Sequence, residues 1–386
     1  MIRLHLPLLF ICAFFITSCS VAPEPTLVTP TSAIPSQTFA PSDNSTSVPT
    51  ITTEKTPLNP TLSSDVTLPS LYYILDKKIF ELAGDKPEIE IASISDPGTI
   101  LGAFRAGDSL LIMNEKGILR VKLGDGTSEL IFRFDKPALY GSMISASDGQ
   151  NVFFLTVIDD PQAEFSMGSV VGMYDFNQDT ITPLLTVPNI TSILGPTPDG
   201  LGLYLLYHGQ DTSLVKIFFV DLKKSEIDHE LAVQGEMFAS LAPDGHHLVT
   251  FNPTYDPVEN SLGVFDLSAP PGTTPEIYKT PIRSFHINGN FLWSPDSQVA
   301  YFLLVTGNYW EDPTGFLPYG LWQLDIGTGE MRQLSQVPEA AFYLDRITTD
   351  GEWLLLRGKE VIWINATSGA QKAIEFPGTA YLVAER

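Results

Sequence analysis

A motif repeated along the chain constrains its fold more than any other feature. In each copy Asp-Gly, or in two copies Asp-Ser, ends a short polar segment and is followed by a run of apolar, aromatic and β-branched residues. The five clear copies contain Asp148, Asp199, Asp244, Asp296 and Asp350, and a weaker copy contains Asp108. The five aspartates are 45 to 54 residues apart. A repeat of this length indicates one small supersecondary unit per copy, stacked on its neighbours.

The residues of each copy predict strands joined by tight turns. Asp-Gly favours a turn because glycine tolerates positive φ and the aspartate side chain caps the turn backbone. The apolar run after it is typical of a buried strand. A second signature follows in each copy: an apolar strand, a capping Asp or Asn, and a polar turn. Its capping residues are Asp175, Asp221, Asp266, Asp325 and Asn365. Each unit therefore predicts four short antiparallel strands, which is one blade of an all-β propeller.

Counting the units predicts a single propeller of seven blades. The units begin near Leu71, Thr99, Gly141, Thr191, Met237, Phe285 and Phe342. The first has only three strand candidates, residues 71–75, 78–82 and 88–92, while residues 379–384 follow the seventh unit unassigned. We therefore expect this C-terminal strand to be the innermost strand of the first blade, because closing the ring removes exposed sheet edges. Six or eight blades are the alternatives if a weak unit is misread.

The repeat resembles a known family. The pattern Ser-Pro-Asp followed by a strand, as around Asp296, together with the strand-Asp signature, is similar to the TolB-like propeller repeat. That repeat also occurs in the non-catalytic propeller of dipeptidyl peptidase IV-type enzymes. The resemblance covers roughly residues 70–386 and is strongest after residue 140. It implies the fold, but propellers of this kind bind many different ligands.

The N-terminal region predicts secretion and lipidation. Arg3 precedes an apolar stretch, residues 4–16, that is too short to span a bilayer and is typical of a signal peptide. Ile16-Thr17-Ser18-Cys19 resembles the bacterial lipobox, in which the cysteine receives the lipid. An ordinary signal peptide with an incidental cysteine is the alternative. We expect a signal peptide at 1–18, a lipidated Cys19 with a Pro/Ser/Thr-rich stalk over 19–69, and the propeller over 70–386.

Charge and cysteine content exclude several functions. The formal net charge is −23 at pH 7, which argues against a basic nucleic-acid-binding surface. Membrane contact is therefore expected only through the acyl chains on Cys19. The two cysteines are Cys12 and Cys19, so the processed chain has no thiol left for a disulfide, a metal-thiolate site or a nucleophile. We expect an extracytoplasmic location, at the cell surface or in the periplasm.

Three insertions between the second and third strands supply the candidate binding face. They fall in the third, fifth and sixth units, and each combines acidic groups with an aromatic ring. Loops longer than a turn requires often carry function, and exposed Trp and Tyr suit partner or sugar binding. The alternative is that the rings pack onto neighbouring loops and the acids are only solvated. The candidate residues are Asp159, Asp160, Phe165, Tyr255, Asp256, Tyr309, Trp310, Glu311 and Asp312.

Enzyme signatures are absent from the sequence. We find no Gly-x-Ser-x-Gly elbow, HExxH helix, Walker loop or dinucleotide fingerprint, and predict no catalytic residue, metal or cofactor. The favoured function is a non-enzymatic binding or scaffold module for an envelope protein or an extracellular glycan or peptide. The alternatives are a glycan- or peptide-directed hydrolase or lyase using the acidic loop residues, and an accessory subunit of a cell-envelope complex.

Overall fold

The computed structural model describes most of the repeat region. The described residues are 66–84, 88–94, 96–146, 150–159, 167–188, 190–208, 215–231, 238–252, 261–270, 273–280, 285–287, 291–306, 317–337, 341–358, 360–377 and 380–385. They form strands and turns and no helix, so no helix within these ranges is long and apolar enough to cross a membrane. All of them belong to one compact unit, Val48–Arg386. The predicted signal peptide, Cys19 and almost all of the predicted stalk lie outside the described residues.

The strands form seven sheets, in which every pairing except one is antiparallel, and we number the sheets as blades in chain order. Blade 1 contains β1 (Ser70–Leu75), β2 (Lys78–Ala83) and β3 (Ile89–Ser93). Blade 2 contains β4 (Ile100–Ala106), β5 (Ser109–Asn114), β6 (Gly117–Lys122) and β7 (Ser128–Arg133). Blade 3 contains β8 (Ala138–Ser145), β9 (Asn151–Asp159), β10 (Met167–Asp175) and β11 (Thr180–Pro188). Blade 4 contains β12 (Ile190–Pro196), β13 (Gly202–His208), β14 (Val215–Asp221) and β15 (Glu226–Leu231).

The remaining strands complete the ring. Blade 5 contains β16 (Phe238–Leu241), β17 (His247–Asn252), β18 (Ser261–Asp266) and β19 (Glu276–Lys279). Blade 6 contains β20 (Phe285–Ile287), β21 (Leu292–Trp293), β22 (Val299–Thr306), β23 (Leu317–Asp325) and β24 (Met331–Ser335). Blade 7 contains β25 (Ala341–Ile347), β26 (Trp353–Gly358), β27 (Val361–Asn365) and β28 (Gln371–Ile374). Two C-terminal strands follow, β29 (Tyr381–Leu382) and β30 (Ala384–Glu385).

This arrangement confirms the predicted all-β propeller and its seven blades. Every predicted unit starts within a few residues of the first strand of a blade, and the strands of each blade pair in chain order. Blade 6 differs in detail, because β20 and β21 both pair with β22 and together act as its innermost strand. In blades 3 to 7 the first strand of the repeat therefore borders the central channel, and the strand at the other edge of each sheet lies at the circumference.

The aspartates of both repeat signatures cap turns, as the sequence predicts. Between the first and second strands, Oδ1 of Asp199 accepts from the N–H of Leu201, and Oδ1 of Asp350 accepts from the N–H of Glu352. Between the third and fourth strands, Asp221 caps its turn in the same way, because its Oδ1 accepts from the N–H of Lys223. These hydrogen bonds satisfy backbone donors within each tight turn.

The first-to-second turns of neighbouring blades contact one another. A Cβ built on Gly245 would lie 2.3 Å from Cδ of Pro198, and one on Gly351 would lie 2.8 Å from Cδ of Pro295. Ser297, which replaces glycine in blade 6, adopts φ 61° and is 1 % exposed. Its Oγ accepts a hydrogen bond of 2.9 Å from the N–H of Asp244 in blade 5. These turns therefore lie side by side on one face of the propeller, which we call the turn face.

The C-terminal segment closes the ring and also reaches the next blade. β29 pairs antiparallel with β1, so it is the innermost strand of blade 1, as predicted. The chain then continues into β30, which pairs parallel with β4 of blade 2. Val383, between the two strands, is fully buried, and its N–H donates to the carbonyl oxygen of Tyr72 over 2.9 Å. The parallel pairing with blade 2 is absent from the sequence prediction.

The core consists of apolar layers between adjacent blades. Phe251 and Leu262 of blade 5 pack with Phe302 and Trp322 of blade 6. At the closure, Trp363 of blade 7 packs with Tyr73 of blade 1 in another layer. Because each layer belongs to two blades, the burial that stabilises one sheet depends on its neighbour.

A polar contact joins blades 2 and 3. Arg120 on β6 donates hydrogen bonds to Glu129 in its own blade and to Asp179 and Tyr174 of blade 3. The Tyr174 hydroxyl donates to Oδ1 of Asp179 over 2.6 Å. Burial, followed by the hydrogen bond to Asp179, raises the pKa of Tyr174 to about 12.

Candidate functional site

The three predicted insertions connect strands at the face opposite the turn face. They lie between β9 and β10, between β17 and β18, and between β22 and β23, which are second-to-third connections in their blades. In a four-stranded antiparallel sheet these connections leave the opposite end from the first-to-second turns. We call this end of the propeller the loop face.

The side chains of the predicted site itself are not described. Asp159 is seen only as backbone, as the last residue of β9 in register with Met167. The other candidates lie outside the described residues: Asp160, Phe165, Tyr255, Asp256, Tyr309, Trp310, Glu311 and Asp312. The convergence of these residues on one surface therefore stays a prediction. The structure shows that the strands on either side of the three insertions all end on the loop face.

Three exposed apolar side chains lie on innermost strands at the loop face. Leu139 and Tyr140 on β8 are 55 % and 38 % exposed, and Tyr343 on β25 is 52 % exposed. All three lie near the start of their strand. Each of these strands ends at a first-to-second turn on the turn face, so it starts at the loop face. Leu139 is the extra residue of a β-bulge, since the register with β9 shifts between Ala138 and Tyr140. They border the mouth of the central channel, which we call the channel mouth.

Other exposed apolar residues occupy different surroundings. Ile89, Leu130, Ile227 and Ile277 lie on fourth strands, at the circumference of blades 1, 2, 4 and 5, and Leu201 lies in a turn. Single apolar residues scattered over a surface are ordinary in folded proteins. Among the described residues, the exposed tyrosines are Tyr140 and Tyr343, and both lie at the channel mouth.

Charged groups cluster where blade 7 meets blade 1. Asp345 and Arg346 lie on β25, where the register with β26 shifts, and Nε of Arg346 is 2.8 Å from Oδ2 of Asp345. Nη1 of Arg346 donates to the carbonyl oxygen of Val383. Nε of Arg357, on β26, is 3.8 Å from Oδ1 of the same aspartate. We call Tyr343, Asp345, Arg346, Arg357 and Tyr381 the seam cluster.

Tyr381 links the seam cluster to blade 2. Its hydroxyl donates to the carbonyl oxygen of Leu101, at the start of β4, over 3.1 Å. Burial raises the pKa of Tyr381, and the positive charges of Arg357 and Arg346 oppose this shift. The neutral hydroxyl is thus held as a donor between blades 1 and 2 at neutral pH.

The described part of the chain contains no group of three or more His, Cys, Asp or Glu side chains placed to hold a metal ion. His247 is paired with Asp244, its Nδ1 2.7 Å from Oδ2, in the turn that this aspartate caps. This pair belongs to the turn face, away from the channel mouth.

Two of the clefts formed by the described residues lie outside the channel mouth. One is formed by Gln323, Asp325, Glu330 and Arg332 in the outer half of blade 6. The other, between blades 7 and 1, is formed by Glu88, Glu360, Glu375, Phe376 and Pro377. In both, the charged residues are mainly acidic, and neither contains an exposed aromatic side chain of the channel mouth.

Sequence reasoning missed Tyr140, Tyr343 and Arg357. A tyrosine in an apolar run is typical of a buried strand, and both tyrosines fall in such runs. The signal that identifies them is their position at the start of the first strand of a repeat. That position borders the mouth of the central channel, where a side chain can stay exposed.

Comparisons with known proteins agree on the fold. No protein-family model and no curated protein matches the chain. Among solved structures, it is similar to an oligogalacturonate lyase from Vibrio parahaemolyticus, with 12 % identity, a TM-score of 0.53, and 82 % of this chain and 94 % of that one covered. It is similar to the Dos1 propeller, with 14 % identity, a TM-score of 0.50, and coverage of 79 % and 78 %.

TolB from Acinetobacter baumannii is also matched, with 12 % identity, a TM-score of 0.46, and coverage of 72 % of this chain and 68 % of that one. At these identities the similarities show the propeller fold alone. The chain is a seven-bladed β-propeller.

Proposed function

We propose that the protein is a non-enzymatic binding module that captures a protein or glycan partner at the channel mouth of its loop face. The observation that carries this proposal is the pair of exposed tyrosines, Tyr140 and Tyr343, beside Leu139 on the face where the longest connections leave. Aromatic rings are frequent anchors of binding surfaces because they bury a large area with little loss of side-chain entropy.

We further propose that the propeller is extracytoplasmic and tethered to a membrane through lipid on Cys19. The lipobox-like residues 16–19 and the Pro/Ser/Thr-rich residues that follow support this part. Two acyl chains would make the anchorage stable. Residues 19–69 would then hold the channel mouth away from the bilayer.

One experiment with four variants tests both parts. The full chain is expressed in a bacterium that processes lipoproteins, its membrane and soluble fractions are compared, and the purified protein is applied to arrays of defined peptides and glycans. Cys19→Ala should move the protein to the soluble fraction without changing array binding. Y140A/Y343A and Y309A/W310A should stay in the membrane fraction and lose array binding, on the order of tenfold or more.

The matched control is I227A/I277A, which removes exposed apolar side chains from fourth strands at the circumference and should bind as the unaltered protein does. Equal binding by all variants would contradict the assigned face, and an unchanged membrane fraction for Cys19→Ala would contradict the tether. Turnover of an arrayed glycan or peptide would contradict the non-enzymatic function and show that the protein is a hydrolase or a lyase.

A further inference from the structure

The seam cluster contains more positive than negative charge. Two arginines, Arg346 and Arg357, face one aspartate, Asp345. Arg346 is largely committed to the fold, because it donates to Asp345 and to the carbonyl oxygen of Val383. Asp345 is therefore mostly neutralised by Arg346, and the charge of Arg357 is left in excess.

Arg357 has an available guanidinium group. Its side chain is 39 % exposed, and its Nε is 3.8 Å from Oδ1 of Asp345, which is longer than a hydrogen bond. Among the described residues, Arg357 makes no hydrogen bond in addition to this ion pair. The planar guanidinium group offers up to five donors in a geometry that matches a carboxylate.

Tyr343 lies beside Arg357. The two residues are directly opposite each other on β25 and β26, so their side chains leave the same side of the sheet with Cβ atoms about 5 Å apart. Tyr343 is 52 % exposed. A ring and a guanidinium group in this arrangement suit a ligand in which a carboxylate adjoins an apolar group.

The charge of the whole protein restricts the ligand further. With a net charge of −23, the protein repels polyanions at long range. A single carboxylate on an otherwise neutral chain avoids most of this repulsion and still pairs with Arg357. A peptide that bears one carboxylate next to an apolar side chain meets both conditions better than an acidic polysaccharide does.

We propose that Arg357 and Tyr343 form a subsite for one carboxylate of a peptide ligand, whose neighbouring apolar side chain packs on the Tyr343 ring. The carboxylate is the free C-terminus of the peptide or the side chain of an internal Asp or Glu. This subsite rests on the proposed binding function, because it belongs to the same channel mouth.

Saturation-transfer NMR and fluorescence titration of the full chain test the subsite with defined probes. The probes are an acetylated peptide ending in Gly-Phe with a free carboxylate, its C-terminal amide, an amide with internal Glu-Phe, and a galacturonate oligomer. We expect at least one carboxylate peptide to bind and the plain amide to bind on the order of tenfold more weakly. The first and third probes separate a terminal from a side-chain carboxylate.

Four variants are compared with the unaltered protein. R357Q should weaken binding of the carboxylate peptide on the order of tenfold, and R357K should weaken it less, because lysine keeps the charge and loses the planar group. Y343A should weaken carboxylate and amide peptides alike. The matched control R133Q removes the same charge from an exposed position on β7 and should leave binding unchanged. Unchanged melting temperatures show that R357Q and Y343A still fold.

Three outcomes would overturn the subsite: equal affinity for the acid and amide peptides, unchanged affinity in R357Q, or binding of the galacturonate oligomer in place of the peptides. If array ligands still bind in a manner sensitive to Y140A/Y343A or Y309A/W310A, only the subsite fails. If no array ligand and no probe binds, the proposed binding function fails with it.

Discussion

Gly245 lies in the turn between β16 and β17 at φ 66°, and Pro198 of the preceding blade packs against the side where a Cβ would be. Gly200, in the equivalent turn of blade 4, has the same φ of 66° but nothing within 4 Å of its built Cβ. A comparison of the two glycines therefore distinguishes the effect of backbone conformation from the effect of close packing. Both need the left-handed conformation, and Gly245 also needs space for its neighbour.

Gly245→Ala should destabilise the protein more than Gly200→Ala. Each substitution forces alanine into a left-handed turn, which costs about 1 kcal/mol. Only Gly245→Ala also pushes a Cβ into the proline ring, which adds about 1–3 kcal/mol of overpacking. Denaturant unfolding of both variants measures the difference. Equal midpoints would show that the turns of blades 4 and 5 do not press on each other.

At the scale of the element, the repeated turns respond to acid through their aspartates. Thr197, Ser294 and Thr348 donate hydrogen bonds of 2.6 Å to Asp199, Asp296 and Asp350 respectively. These hydrogen bonds, followed by those from backbone N–H groups, lower the pKa of each aspartate. A carboxylate whose folded-state pKa is depressed stabilises the fold above its unfolded-state pKa.

We therefore expect the melting temperature to fall as the pH is lowered from about 5 through 4 and below, the range in which unfolded aspartates take up protons. The triple variant D199N/D296N/D350N keeps acceptor oxygens in the three turns and removes the titration. Its melting temperature should depend less on pH over this range, and thermal melting at a series of pH values tests this. A pH dependence equal to that of the unaltered protein would contradict the assignment.

The strands were predictable because their determinants are local. Asp-Gly turns, capping residues such as Asp221, and apolar runs each specify a turn or strand within a few residues of sequence. The role of Ser297 was not predictable. It breaks the Asp-Gly rule, and its hydroxyl accepts from Asp244, more than fifty residues away. The repeat shows that serine replaces glycine at this position, but the reason for the serine is its contact with the adjacent blade.

The candidate site was less predictable than the fold. The sequence identifies the long connections, but the exposure of Tyr140 and Tyr343 depends on which strand borders the channel. The available charge of Arg357 depends on Arg346 being bonded to Asp345 and Val383. Such properties arise from contacts between blades, and no local pattern encodes them.

At the scale of the whole molecule, residues 381–385 join the ends of the ring. Leu382 and Val383 are buried, and the segment pairs with blade 1 through β29 and with blade 2 through β30. Arg346 of blade 7 adds a hydrogen bond to the Val383 carbonyl oxygen. Three consecutive blades therefore share one short segment.

Deleting residues 378–386 should destabilise the whole propeller. The loss of two buried aliphatic side chains and of the closing hydrogen bonds is expected to lower the free energy of unfolding by on the order of 5 kcal/mol. Deleting only residues 384–386 removes β30, keeps β29, and should cost less. Thermal melting of both truncations measures the effects, and an unchanged melting temperature for the longer deletion would refute closure by this segment.

The closing segment also sets an order of events during synthesis. Blades 3 to 7 are each built from neighbouring stretches of chain, whereas β1 and β4 wait for partners made about 300 residues later. Until then β1 and β4 present unpaired edges, which favour association with other chains. Closure over such a sequence separation is slow. A newly made chain therefore spends a period with an open first blade, during which a chaperone or transit through a membrane in the unfolded state would protect it.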